Sequence, residues 1–256
     1  LQHFGGDNEA AIALLRESLN TPVAEPDQWW IGCSQMLLGM SYLVQGATIP
    51  AEPAFAAGVE AFQSIGHTTN AAICLNYLGA IAWHRGNLTE AQAICSEALR
   101  LHRERGNPWG VAASLEYLGL IAGDFGDVRT SANNLVEALD LRIQAAQVGG
   151  HPAWDAGAWE DLAGAISDLA VLAARTGRPD ESAAAFGCAA GIRERTGKPD
   201  ANMPERALYA RITSEVRATL GDDAFTAAWD RGHGWTMDEA QDEAERLLSE
   251  ICQSLA

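Results

Sequence analysis

No stretch of this 256-residue chain approaches eighteen uninterrupted apolar residues, so none is expected to cross a bilayer as a helix. The N-terminus, Leu1-Gln2-His3-Phe4-Gly5-Gly6, has no basic segment leading into an apolar run, so it does not resemble a secretion signal. The missing initiator Met suggests an excised or processed segment. Positive charge is scarce: 17 Lys and Arg against 34 Asp and Glu leave a net charge of −17. Phosphate backbones are repelled by such a surface, so direct binding of nucleic acid is not expected. Cysteine is sparse as well. Cys33, Cys74, Cys95, Cys188 and Cys252 are odd in number, far apart and without a C-x-x-C pair, which argues against a disulfide framework and a zinc site. Three of them sit among apolar neighbours, where a thiol acts as a small hydrophobe. The expected compartment is a reducing one, the cytoplasm.

Enzymatic signatures are equally thin. H-E-x-x-H, G-x-S-x-G and dinucleotide-binding glycine motifs do not occur. The stretch from Gly191 to Gly197-Lys198 has five residues between its glycines where a phosphate loop needs four, and Pro199 stands where Ser or Thr would hold magnesium. Among the six scattered histidines, His84 and His102 find no third ligand at helical spacing. The acidic run Asp238, Glu239, Asp242, Glu243 and Glu245 falls in the first turns of an expected helix, where the macrodipole favours negative charge on a solvated face. No catalytic residue, cofactor or metal site is assigned, and the chain is not expected to be an enzyme.

What the chain does contain is a period. Leu38-Gly39, Leu78-Gly79 and Leu118-Gly119 recur every 40 residues, as do Gly6, Gly46, Gly86 and Gly126, the pair Gly66 and Gly106, and Ala98-Leu99 with Ala138-Leu139. Leu169-Ala170, Gly177 and Ala189-Ala190 continue the series after about eleven extra residues. Those extra residues fall near 147–157, where Gly149-Gly150 and Pro152 suggest a loop or an extended helix start. Within each period, apolar and small residues lie three and four apart, as in Ala71, Ala72, Leu75, Leu78, Gly79 and Ala82. The recurring terminal glycines stop each helix, because glycine accepts the left-handed conformation at the position past a helix end. The mid-helix Gly39, Gly79 and Gly119 weaken helices by roughly 1 kcal/mol each. Close approach of a neighbouring helix would explain their presence.

The resulting expectation is an all-α fold, a right-handed superhelical solenoid of about forty-residue helix pairs. Helices are expected at 7–20, 28–45 with 52–65, 68–85 with 88–105, 108–125 with 128–147, and 156–176 with 180–196, with Pro50 and Pro53 delaying the helix that starts at 52. The repeat array spans 1–197, with boundaries near 6, 46, 86, 126 and 177. Capping helices fill 198–256: one from 205 to 219, a short one N-capped by Asp222 and ending at Trp229, and one opened by a Thr236–Glu239 capping box.

At the tail a family resemblance enters. Ala190-Gly191-Ile192-Arg193-Glu194-Arg195-Thr196-Gly197, Pro204-Glu205-Arg206, the run from Leu220 to Gly232, and Thr236-Met237-Asp238-Glu239-Ala240 follow a pattern seen elsewhere. The chain resembles the tetratricopeptide-like sensor region of large bacterial regulators, the LuxR-type and adenylate-cyclase-linked signalling ATPases. The resemblance covers nearly the whole chain, and its specific part is the tail. It implies a role in signal reception, beside an ATPase module of the parent chain. It transfers no catalytic residue.

Candidate contacts come from the tryptophans. Trp29 and Trp109 occupy equivalent positions two periods apart, Trp30 adjoins the first, and Trp159 falls within a residue of the same phase after the extra segment. Asn70 stands at the start of the repeat between them. In solenoids of this kind the starts of the first helices line the concave groove. Aromatics repeated along it suit a protein segment or a small effector. Two other readings stay open: the tryptophans wedge between repeats as core, or the array is a scaffold for homo-oligomers and for packing of attached domains.

Overall fold

Glycine punctuates the backbone at twenty-residue intervals. Gly46, Gly66, Gly86, Gly106 and Gly126, and later Gly177, have φ between 61° and 82°, a region that other residues enter only at a cost. Each closes a helix through the same two hydrogen bonds. The Gly46 N–H donates to the Leu43 carbonyl and the next N–H, of Ala47, donates to Tyr42; the pattern repeats at Gly86 (to Trp83, with Asn87 to Ala82) and at Gly126 (to Gly123, with Asp127 to Ala122). This Schellman arrangement satisfies carbonyls that the helix end would leave bare. The residue after each glycine then serves as the N-cap of the following helix, so three residues make the whole connection.

The computed structural model describes the backbone at 8–21, 27–148, 152–196 and 205–255, and side chains at 8–21, 27–145, 160–196 and 205–255. Among these residues there are twelve helices and no strand: α1 (Asn8–Asn20), α2 (Gln28–Val44), α3 (Thr48–Ser64), α4 (Thr68–His84), α5 (Leu88–Glu104), α6 (Pro108–Asp124), α7 (Val128–Val148), α8 (Pro152–Arg175), α9 (Pro179–Thr196), α10 (Arg206–Leu220), α11 (Asp222–His233) and α12 (Met237–Ser254). Helices α2 to α6 are all 17 residues long. The forty-residue sequence period is thus two half-repeats of twenty. No helix of the described residues is long and apolar enough to cross a membrane. Two compact units divide the chain, one with α1 to α5 and the first turn of α6, the other with the remainder of α6 through α12.

In the N-terminal unit the mid-helix glycines are contact points. A methyl group on Gly39 would lie 2.8 Å from Phe55, and one on Gly32 would lie 2.7 Å from Phe62. Both rings are fully buried, and Phe55 stacks on Tyr77 at 4.8 Å. Gly79 receives the Cys95 sulfur in the same way, and Gly58 faces Cys74. The residue sixteen positions after each landmark glycine (Phe55 for Gly39, Cys95 for Gly79, Leu135 for Gly119) is the one that fills its notch. Burial pushes the Cys74 and Cys95 thiols up to about 12, so they stay protonated and serve as packing.

The expected start of α3 is corrected here. The helix begins at Thr48, not at 52. Pro50 occupies the third helical position, where the N–H would have no intrahelical partner, so its ring removes nothing. Pro53 lies inside the helix on an exposed side, where the lost bond and the strain face solvent.

In the C-terminal unit the helices are longer: α7 has 21 residues and α8 has 24, four and seven more than the 17 of α6. Helix α9 is buried on every side from Ser182 to Ala189, the pattern of a helix covered all round. Helix α11 crosses it with no side chain between the backbones, since Gly232 abuts the Ala184 carbonyl and Gly187 abuts the Trp229 carbonyl. That crossing explains a second correction. Helix α11 runs to His233 instead of ending at Trp229, because Gly232 is an interior contact residue and not a turn. Asp222 is its first residue, and Gly221 occupies the N-cap. The expected capping box of α12 is present: Glu239 N–H donates to Thr236 Oγ1 at 3.3 Å, and Thr236 N–H donates to Glu239 Oε2 at 2.8 Å. Helix α12 is tied to the repeat helices by Arg178, which donates to Glu250 at 3.1 Å, and by Arg129, which donates to the Leu255 carbonyl.

Candidate interaction site

Asp27 is the N-cap of α2. Its carboxylate accepts from the Trp29 N–H at 2.9 Å and the Trp30 N–H at 3.5 Å. A cap of this kind fixes the direction of the first turn, so both indoles are held at its edge. Their rings meet edge to face at 4.9 Å, and they are 40% and 63% exposed. Trp109 sits at the same place in α6 and is 43% exposed. Asn107 caps that helix, its Oδ1 accepting from the Gly110 N–H at 3.2 Å. Asn70, in the first turn of α4, is half-buried. Trp159 lies within α8, and its side chain falls outside the described residues. The indoles of Trp29, Trp30 and Trp109 thus each keep a face in solvent. Trp83, near the end of α4, is the buried one of this unit.

Beside Trp109, Gly110 packs on His102, a residue that sequence reasoning weighed only as a metal ligand. The Asn107 amide that caps α6 also donates from Nδ2 to His102 Nδ1 at 3.1 Å. That bond assigns the proton to Nε2, which is buried with no hydrogen-bond partner among the described residues. Gly110 leaves room for the ring, since a methyl group there would collide with it. Burial pulls the His102 pKa below the ordinary histidine value. A histidine kept neutral when folded gains its proton only on unfolding, so its contribution is present above about pH 6.5 and is lost as the pH falls below it. Amide exchange across residues 98–112 should therefore quicken, relative to a His102→Leu variant, as the pH is lowered from about 7 to about 5.5. An equal response of both proteins would refute this assignment.

The C-terminal unit holds a second set of polar groups. Arg142 of α7, almost fully buried, donates to both oxygens of Glu116 at 2.8 Å and to Asp161 at 3.3 Å. Burial works against its charge, and the Glu116 and Asp161 carboxylates outweigh that effect, so Arg142 stays ionised. The buried Asp168 of α8 accepts from the Tyr209 hydroxyl of α10 at 2.5 Å. Burial pushes Asp168 well above the ordinary carboxylate range, and the nearby Glu116 charge adds to the shift. The sequence carries a signal for this cluster that the repeat pattern obscured. Ser167 and Asp168 interrupt the apolar run from Ala165 to Ala174, and Arg142 lies between Leu139 and Ile143. Among the described residues no group of three or more His, Cys, Asp and Glu is arranged to hold a metal ion.

Comparison with known proteins places the fold. Residues 70–144, from the first turn of α4 into α7, match the tetratricopeptide repeat. No curated protein matches the chain. Among solved structures it is similar to the crystal structure of BtubC (BKLC) from P. vanneervenii, with a TM-score of 0.54 and 19% identity over 77% of each chain. At that identity the likeness is one of fold, an all-helical tetratricopeptide-like solenoid. Repeats of this type generally mediate protein–protein interaction.

Proposed function

We propose that this chain is a non-catalytic interaction module whose N-terminal unit receives a protein segment, or a small effector, at Trp29, Trp30 and Trp109, with Asn70 as a polar contact between them. The observation that carries this reading is the exposure of all three indoles, each held on the first turn of a helix by a side-chain cap or its equivalent. A large aromatic ring left in water costs stability, and a rigid one on a capped helix is ready to bury itself against a partner with little loss of freedom. The tail's likeness to bacterial signalling regulators supports a cytoplasmic setting in which occupancy of this surface is passed to an attached ATPase module. Sequencing of the parent gene on both sides of this segment tests that setting.

Titration of intrinsic tryptophan fluorescence with a panel of peptides and metabolites tests the binding itself. A ligand that shifts the emission should lose about thirtyfold in affinity with Trp29→Ala or Trp109→Ala, the usual loss at an aromatic anchor. The melting temperature should stay near the parent value, because the rings are exposed. A panel with no responder, together with concentration-dependent dimerisation in light scattering, would replace this reading with the scaffold.

A further inference from the structure

Helices α9, α11 and α12 of the C-terminal unit do not meet evenly. Helix α11 lies against α9 backbone to backbone, through Gly232 at the Ala184 carbonyl and Gly187 at the Trp229 carbonyl. Helix α12 packs chiefly on α7 and α8 and only lightly on α9. The side chains that could close the remaining gap are short: Ala184 and Ala185 on α9, Ala240 and Ala244 on α12. A cavity of about 300 Å³ results, with Leu169 and Leu247 also in its wall, at the lower end of the range for small-ligand sites. Trp235, half-buried, lines it as well. Its N–H donates to the Gly232 carbonyl at 3.1 Å, and the α12 capping box begins at the next residue, so its backbone is fixed on both sides. The more exposed lining residues are charged, and the arginines among them are already engaged. Arg231 donates to Asp180 at 2.6 Å, Arg246 lies 2.6 Å from both Glu243 and Glu250, and Arg178 beside them lies 3.1 Å from Glu250 and 3.8 Å from Glu181. Four carboxylates thus share three guanidiniums, and Glu181 is held at the longest of these distances. The surplus charge at this apolar cavity is negative, beside an aromatic ring.

We propose that the cavity between α9, α11 and α12 is a binding site for a small organic cation, an ammonium carried on an apolar, ring-sized body. The body rests on the alanines, which leave it room without strain. The ammonium is held by the surplus carboxylate, chiefly Glu181, and by the face of Trp235, which attracts cations through its quadrupole. A carboxylate ligand would have to take a guanidinium from a carboxylate that already holds it, and would meet the negative field of the chain. The site goes beyond the tryptophan surface, since it belongs to the other unit and uses none of its residues.

Titration calorimetry of the full chain with phenethylamine tests this, with 2-phenylethanol and 3-phenylpropionate as probes of matched body and different charge. Phenethylamine should bind with a Kd on the order of 1 mM, as its size allows, and the other two at least about tenfold more weakly. Glu181→Gln should weaken phenethylamine about tenfold, as for loss of a charge-assisted contact. Glu215→Gln, elsewhere on the acidic surface, should leave it unchanged. Ala244→Phe fills the cavity and should abolish binding; if that variant fails to fold, Trp235→Leu takes its place, with an expected loss of about fivefold. Trp29→Ala should have no effect, which separates this result from the fate of the tryptophan surface. The proposal is overturned if phenylpropionate binds as tightly as phenethylamine, or if phenethylamine gives no heat of binding up to about 10 mM. Unchanged affinity in Glu181→Gln or in the cavity variant overturns it too, as does an equal loss in Glu215→Gln, which would mean attraction to the acidic surface at large.

Discussion

Gly232→Ala should cost about 3 kcal/mol or more, at the upper end for overpacking, and lower the melting temperature of the C-terminal unit by roughly 8 °C. The added methyl would fall inside the van der Waals surface of the Ala184 carbonyl oxygen. A flexible side chain could swing away, but this obstacle is backbone within a helix buried on every side. Helix α11 must back off α9 along its length, and Gly187 beneath Trp229 loses its own fit. A control isolates the cause. Gly164, also mid-helix, has nothing within 4 Å of the position a methyl would take, so Gly164→Ala should stabilise by about 0.5–1 kcal/mol through helix propensity alone. Circular dichroism melts of the two variants should therefore move in opposite directions. If Gly232→Ala melts with the parent protein, the α9–α11 crossing is misplaced.

The second large effect is expected at Arg142. Arg142→Met keeps much of the side-chain volume and removes the cation between Glu116 and Asp161. Breaking a buried ion pair from one side leaves an uncompensated carboxylate and costs about 3–5 kcal/mol. Denaturant titration followed by amide exchange over α6 to α9 measures the loss in the unit concerned. The compensating change identifies its origin. Glu116→Gln combined with Arg142→Met should recover much of the stability, because the stranded charge is gone. Additive losses in the double variant would show that packing, not charge, dominates.

The chain shows how far periodicity carries a reading and where it stops. Helix ends were legible because each depends on one residue: at Gly86 or Gly126 the backbone must turn through positive φ, and glycine marks the place. The notch glycines were legible for a similar reason, since Gly79 has no cause to sit mid-helix unless another residue needs its space. Interactions between elements of unrelated phase were not. The α9–α11 crossing pairs Gly187 with a residue 42 positions later, outside any repeat, so the sequence reading ends α11 at Trp229. The start of α3 was misread because proline opposes a helix only where an N–H is needed, and Pro50 stands where none is. At the candidate surface, the tryptophan positions could be read from their spacing. Their exposure could not, because an indole at a helix start serves equally as a wedge or as a contact. The Arg142–Asp168 cluster draws on four helices, and each of its members looks like an isolated polar residue within its own.

The added length in α7 and α8 has a simple geometry. At 3.6 residues per turn, four residues come to about one turn and seven to about two. Each helix therefore grows along its axis by about 6 Å or about 10 Å while its inward stripe keeps nearly the same bearing. An insertion of two or five residues would instead swing the buried side toward solvent. Changes of length in this hairpin should therefore be tolerated in whole turns and rejected in halves.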